Sequence, residues 1–344
     1  MKKGINLVVI FMGIVFASCS KDMSLHRSLT NQETSIITQL QRINDSLKEK
    51  NTMRSGGTGL KRKQVTQADA LAAEAAALKF AYETVSYYEK RGWTFSQIQS
   101  YMLSNQYKYE FEAYVSSASQ SASKKAAKNS GDCAIIAFLN PSTSNTYEES
   151  YLFLKEKECT NTDSIILKYN IEIIDGIELP TSFEDIQYIG VNHNGIINKS
   201  IQQSSHHGRR SSVQPVDFPI LYPESEIDIL FSTEAFQTQF FDFGDLIDDC
   251  LDSYTLNPSM LFENYPQSCS LAIQIGEMFY NAILYCNSHN DILYLANNYI
   301  DSIENDNTLT IHDKRALYSS FVVAVYSYSL WGEYMDLASL ENIS

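Results

Sequence analysis

The sequence predicts a mainly α-helical protein, a multi-helix bundle with long loops. Three observations lead there. Apolar residues recur every three or four positions in one stretch after another, the spacing of a helix face. Alternating apolar and polar residues, the signature of a strand, are scarce. Only 14 Gly and 7 Pro punctuate 344 residues, too few for a fold made of short strands and tight turns. Helices with one apolar face bury it against each other, which gives a bundle. The chain is long enough for one large domain or two small ones, each with a true core.

Residues 1–19, MKKGINLVVIFMGIVFASC, begin with Lys2 and Lys3. Twelve mostly apolar residues follow, from Ile5 to Phe16, and then Ala17, Ser18 and Cys19. This anatomy is that of a cleaved export signal. Twelve apolar residues are too few to span a bilayer, which takes roughly 20. A cysteine straight after two small residues resembles the lipobox of bacterial lipoproteins, with Phe16 where most lipoboxes have Leu. The resemblance implies cleavage before Cys19 and a diacylglycerol on its thiol, with palmitate among the acyl chains. Ser20 in place of Asp implies the outer membrane.

The rest divides into residues 19–65, a lipid-anchored tether with a short amphipathic helix and a basic linker; residues 66–131, an Ala-rich helical hairpin; and residues 132–344, an acidic helical region packing with it. Thr30 and Glu33 have the spacing of a capping box. Ile36, Leu40, Ile43 and Leu47 then form one apolar seam. Two heptads are short for a coiled coil, so the seam is expected to dock on the chain's own body. Residues 51–64, with Gly56, Gly57 and Gly59 before Lys61, Arg62 and Lys63, read as a flexible basic linker. Thr66 caps the Ala-rich helix, which Gly92 ends in the left-handed conformation. Asp69, Glu74 and Lys79 break its apolar run and favour packing against other helices over insertion in a membrane. A helix from Thr94 carries Tyr101, Tyr107, Phe111 and Tyr114 before fading into residues 116–131, a low-complexity boundary.

In the second half, residues 134–139 are too short a run to assign. Helices are expected at 147–159 and 163–174. Pro180-Thr181-Ser182 starts another, burying Phe183, Ile186, Ile189 and Ile197. Residues 202–215 read as a polar loop. Amphipathic helices follow at 232–254, 268–286, 291–303 and 310–335, the last capped by Thr310 with Asp313.

Charge is split along the chain. Residues 1–130 hold 18 Lys and Arg against 10 Asp and Glu, whereas residues 131–344 hold 8 against 31. Residues 211–313 contain no Lys or Arg. Such a surface repels phosphates, so nucleic acid is excluded as a partner. With Cys19 acylated, five cysteines remain: Cys133, Cys159, Cys250, Cys269 and Cys286. They form one or two disulfides in an oxidising compartment, or stay as buried thiols. No C-x-x-C is present, and no cofactor is predicted.

His193 and Asn194 lie between Gly190 and Gly195 in an apolar setting. His193 is the candidate for a catalytic base, but Glu184 and Asp185 are about two helical turns away. A buried His–Asn pair bonded to backbone is the stronger reading. No G-x-S-x-G, H-E-x-x-H or Walker loop occurs. His206 and His207 sit beside Arg209 and Arg210, which oppose a metal. Residues 304–313 lack the Gly and terminal Glu of an EF-hand. On residues 236–254, Asp242, Asp245, Asp249 and Asp252 form a row opposite Phe236, Phe240, Phe243 and Ile247. Like charges at this spacing cost about 0.2–0.5 kcal/mol per pair. A divalent ion, a partner or the basic first half would relieve it. The last is ranked first because it is tethered nearby, and the four aspartates remain a candidate metal site only by this argument.

Ala68-Asp69-Ala70, Gly190 with His193-Asn194, and Ser327 with Trp331 resemble segments of uncharacterised lipoproteins of Bacteroidetes. That group carries no known activity, so the likeness implies an envelope compartment and an architecture. The resulting expectation is a lipid-anchored envelope protein acting as a binding or interaction module, with a possible protein partner. The rivals are an envelope hydrolase using His193 and a structural or membrane-active helical protein.

Overall fold

A computed structural model describes residues 31–51, 57–129, 153, 155–157, 162–207, 262 and 269–341. Among the described residues there are helices and no strands. The elements are α1 (Asn31–Asn51), α2 (Gly57–Lys90), α3 (Phe95–Met102), α4 (Asn105–Asn129), α5 (Thr162–Lys168), a 3-10 helix (Thr181–Ile186), α6 (Gln187–His207), α7 (Ser270–Ile283), α8 (His289–Glu304) and α9 (Ile311–Glu341).

Two helices are apolar on every side, and these become the middle of the bundle. On α2, Ala70–Ala73 and Ala75–Leu78 are all buried; on α9, every residue from Ala316 to Tyr328 is. They pack antiparallel, Asp69 against Ser327 and Arg62 against Tyr328. Alanine allows this close approach. Helices α4 and α6 cover one side of the pair, and α1, α7 and α8 the other. Of these, α6 is buried at every position from Ile189 to Ile201, whereas α8 is one-sided. Helix α8 buries Ile292, Leu295, Ala296, Tyr299, Ile300 and Ile303, and leaves Tyr294 half exposed. The expected seam of α1 does dock on the chain's own body. Asn44 donates to the Met278 carbonyl and accepts from Tyr299, and Lys50 pairs with Asp291 at 3.0 Å.

Several boundaries follow the sequence. Thr94 and Gln97 form a capping box at α3, and Thr310 and Asp313 form one at α9. Gly92 has φ +80° and ends the α2 turn.

Others are corrected. The expected linker at 51–64 is helical from Gly57, because its cations have fixed partners. The Arg62 guanidinium lies 4.2 Å over the Tyr328 ring, and Lys63 donates to the Leu284 carbonyl at 2.9 Å and to Asn287 at 2.8 Å. Thr66 is therefore a buried mid-helix residue and no cap. The low-complexity serines do not fade out but form the buried face of α4, where Ser116, Ser117, Ser119, Gln120 and Ser123 are sealed. Small hydroxyls suit such a face, since they bond the preceding turn, as Ser116 does to the Glu112 carbonyl at 2.6 Å. Helix α5 stops at Lys168 because Asn170 takes φ +49° and the Ile171 N–H returns to the Ile166 carbonyl at 2.9 Å, closing the turn. Helix α6 runs to His207, into the expected polar loop.

Candidate functional site

At the level where α2, α4, α6 and α9 meet, the interior is polar. Asp69 stands among alanines on α2. Its Oδ2 accepts from the Ser327 hydroxyl of α9 at 2.6 Å and from the Ser123 hydroxyl of α4. Ser123 in turn accepts from the indole N–H of Trp331 at 3.2 Å. His193 of α6 places Nε2 3.4 Å from the same Asp69 oxygen, and its Nδ1 lies 2.9 Å from Ser119 Oγ. One carboxylate oxygen of α2 thus gathers groups from three other helices.

The site exists because α6 comes unusually close to its neighbours. A Cβ at Gly190 would overlap the Tyr326 ring, and one at Gly195 would overlap Phe153. Asn194 then donates to the Tyr326 carbonyl at 3.1 Å, fixing the register of α6 on α9. One turn towards the outside, Asn192 and Lys157 both bond the Glu112 carboxylate, Lys157 at 2.8 Å.

A proton count constrains what the arrangement can do. The Ser119 hydroxyl has one hydrogen, to give either to Nδ1 or to the Ser116 carbonyl at 3.0 Å. Given to Nδ1, it leaves the neutral ring with its N–H on Nε2, facing Asp69. Ser119, His193 and Asp69 thus lie in the order of a relay, but Nε2 makes no hydrogen bond to Asp69, so the line is open between them. Access decides against its use on a substrate in this conformation. Asp69, Ser119, Ser123, His193 and Ser327 all have 0% of their surface exposed, so no carbonyl carbon could approach Ser119 unless the helices part.

A second buried acid lies further along α2. Glu74 sits against Gly276 of α7, where a side chain would collide with it, and the Tyr280 hydroxyl donates to its Oε2. Burial, helped by the negative charge of Asp313, pushes the Glu74 carboxyl well above its usual range. It is held as the neutral acid.

Sequence reasoning found His193 and Asn194 and expected backbone partners. That holds for Asn194, whereas His193 bonds the Ser119 side chain. The acids considered for it, Glu184 and Asp185, are elsewhere: Asp185 pairs with Arg315 at 2.6 Å. Asp69 was noted as a break in an apolar run and as part of the Ala68-Asp69-Ala70 segment, with no role assigned to it. Ser119 and Ser123 were not singled out, although Ser116, Ser119 and Ser123 share a helical face, a pattern that could have marked them. Cys19, the aspartates Asp242, Asp245, Asp249 and Asp252, and Cys133, Cys159 and Cys250 lie outside the described residues. Cys286 is a buried thiol whose ionisation burial disfavours, and its S–H lies 3.8 Å from the Ala282 carbonyl. Cys269 is buried too. Among the described residues no group of three His, Cys, Asp or Glu could hold a metal ion, and no helix is long and apolar enough to cross a membrane.

No family model matches the chain, and neither the curated proteins nor the solved structures searched match it.

Proposed function

We propose that the chain is a lipid-anchored protein of a bacterial cell envelope, held by diacylglycerol on Cys19 at the outer membrane, whose helical body is a binding or interaction module. The observation that carries the reading is where its chemistry-bearing groups sit. Three segments that resemble those of Bacteroidetes lipoproteins, around Asp69, His193 and Ser327–Trp331, meet in one sealed network. A network with no exposed surface holds helices in place. What it leaves for the outside is the body's surface, which supports binding over turnover. The charge split supports the same reading, because an acidic second half offers a face for a cationic partner.

A second reading, an envelope hydrolase, is favoured by one observation: Ser119, His193 and Asp69 lie next to one another in the order of a catalytic relay. It requires a conformation in which α4 or α6 opens.

The anchor is tested by growing cells expressing the full chain with radiolabelled palmitate. Label that is lost in Cys19→Ala supports the proposal. An unlabelled chain, or label that survives the substitution, overturns it.

A further inference from the structure

The turn between α2 and α3 carries an aromatic cluster that the core does not absorb. Tyr88 lies against Trp93 with ring centroids 4.2 Å apart and meets Tyr101 at 4.9 Å. Trp93 is 39%, Phe95 45% and Leu103 68% exposed. Around them stand exposed Glu89, Lys90 and Arg91, the last with its guanidinium 3.3 Å from the Tyr87 ring centre, which leaves one net positive charge on these three. Large apolar groups, amphipathic Tyr and Trp rings and a pair of cations at one tip are the composition that settles at a membrane–water interface. Buried Glu110 does not counter the cations, because burial raises its carboxyl above the usual range and it is bonded to Tyr101 and Gln106.

Where the tip sits decides what covers it. Helix α1 runs parallel to α7 and α9 and antiparallel to α8. Asn51 meets Asn287 at one end, and Gln39 meets Ser302 at the other. Its first residues therefore point out of the same end of the bundle as the C-terminus of α2, whose Phe80 packs on Phe111 of the first turns of α4. From Glu74, which abuts Gly276 of α7, to Lys90 α2 advances about 24 Å, and from Asn44, which bonds Met278 of α7, to Asn31 α1 advances about 20 Å, so both project from the same end. Between Cys19 and Asn31 the chain can reach at most about 40 Å. This is the end from which the chain leaves towards Cys19, so a diacylglycerol there places it nearest the bilayer.

We infer that the α2–α3 tip is a membrane-contacting surface, with Trp93, Phe95 and Leu103 entering the interface of the bilayer that holds Cys19 and Lys90 and Arg91 meeting its phosphates. This rests on the lipid-anchor reading above. The contact would fix the tilt of the body, which a single lipid anchor leaves free.

Trp93 is a built-in reporter, since Trp331, the other of the two tryptophans, is buried. The mature chain from Ser20, with an N-terminal histidine tag in place of the lipid, is tethered to phosphatidylethanolamine/phosphatidylcholine vesicles containing nickel-chelating lipid. Quenching by brominated acyl chains is then compared for wild type and Trp93→Phe, both checked for helicity by circular dichroism. The inference expects brominated lipid to remove about half or more of the Trp93 emission, and Phe95→Ser/Leu103→Ser to abolish that loss. Emission unchanged on tethered vesicles overturns it, as does a tip already shielded without lipid by self-association, seen in sedimentation. The tether is artificial, so failure here is distinct from failure of Cys19 labelling: the first removes the tip contact and the second removes the anchor.

Discussion

His193 Nε2 lies 3.4 Å from Asp69 Oδ2, and neither side chain exposes any surface. That pairing of proximity with closure separates a relay from a working active site. A fluorophosphonate needs its phosphorus within bonding distance of an activated serine. The native protein is therefore expected to leave Ser119 unmodified after prolonged exposure, as read by peptide mass spectrometry. An adduct on Ser119 in the folded protein that disappears in His193→Gln would establish the hydrolase reading in its place.

Glu74 makes stability depend on pH. Its folded-state carboxyl titrates well above the usual range, owing first to burial and then to Asp313. The folded state thus holds a proton that the unfolded chain gives up above about pH 4.5. The sign follows: this contribution to stability is complete below that pH and is lost as pH rises towards the folded-state value. Glu74→Gln keeps the shape and removes the ionisation. Urea unfolding between pH 5 and 8 should show the variant gaining on wild type as pH rises. A difference that stays constant with pH would show that Glu74 ionises freely in the fold.

Gly190 is a contact residue. A methyl group there enters the Tyr326 ring, so α6 must move off α9 or the ring must turn. Gly190→Ala should cost about 1–3 kcal/mol, the range for overpacked cores. At Gly92 nothing lies within 4 Å of an added Cβ, and only its φ of +80° resists substitution. Gly92→Ala should cost about 1–2 kcal/mol through backbone strain alone. The two mechanisms separate when each is compared with Ser at the same position. Enlarging Ala to Ser should worsen Gly190 and leave Gly92 almost unaffected, as read by melting temperature.

How much was legible depended on how local the cause was. The cap at Thr310 with Asp313 and the turn at Gly92 rest on neighbouring residues, and the sequence read them correctly. The helical fold was legible because it rests on periodicity. The linker at 51–64 was misread because its glycines speak locally for flexibility, whereas Arg62 and Lys63 find partners on α9 and beyond α7. The serine-rich stretch of α4 was misread for the same reason: Ser123 is buried only because Asp69 receives it. His193 and Asn194 were visible as polar residues in an apolar run. Their partners Ser119 and Asp69 come from helices far away in sequence, and no spacing rule joins them.

The central claim is that Asp69 and His193 act together to lock four helices through one shared centre, and a double-mutant cycle measures it directly. Asp69→Asn, His193→Gln and the pair are unfolded in urea at pH 7. Groups in one buried network couple by about 0.5–3 kcal/mol, and leaving a buried polar partner unsatisfied costs about 1–3 kcal/mol. The account predicts that each single variant is strongly destabilised and that the double variant loses at least about 1 kcal/mol less than their sum. Additive losses, or single variants as stable as wild type, would contradict it.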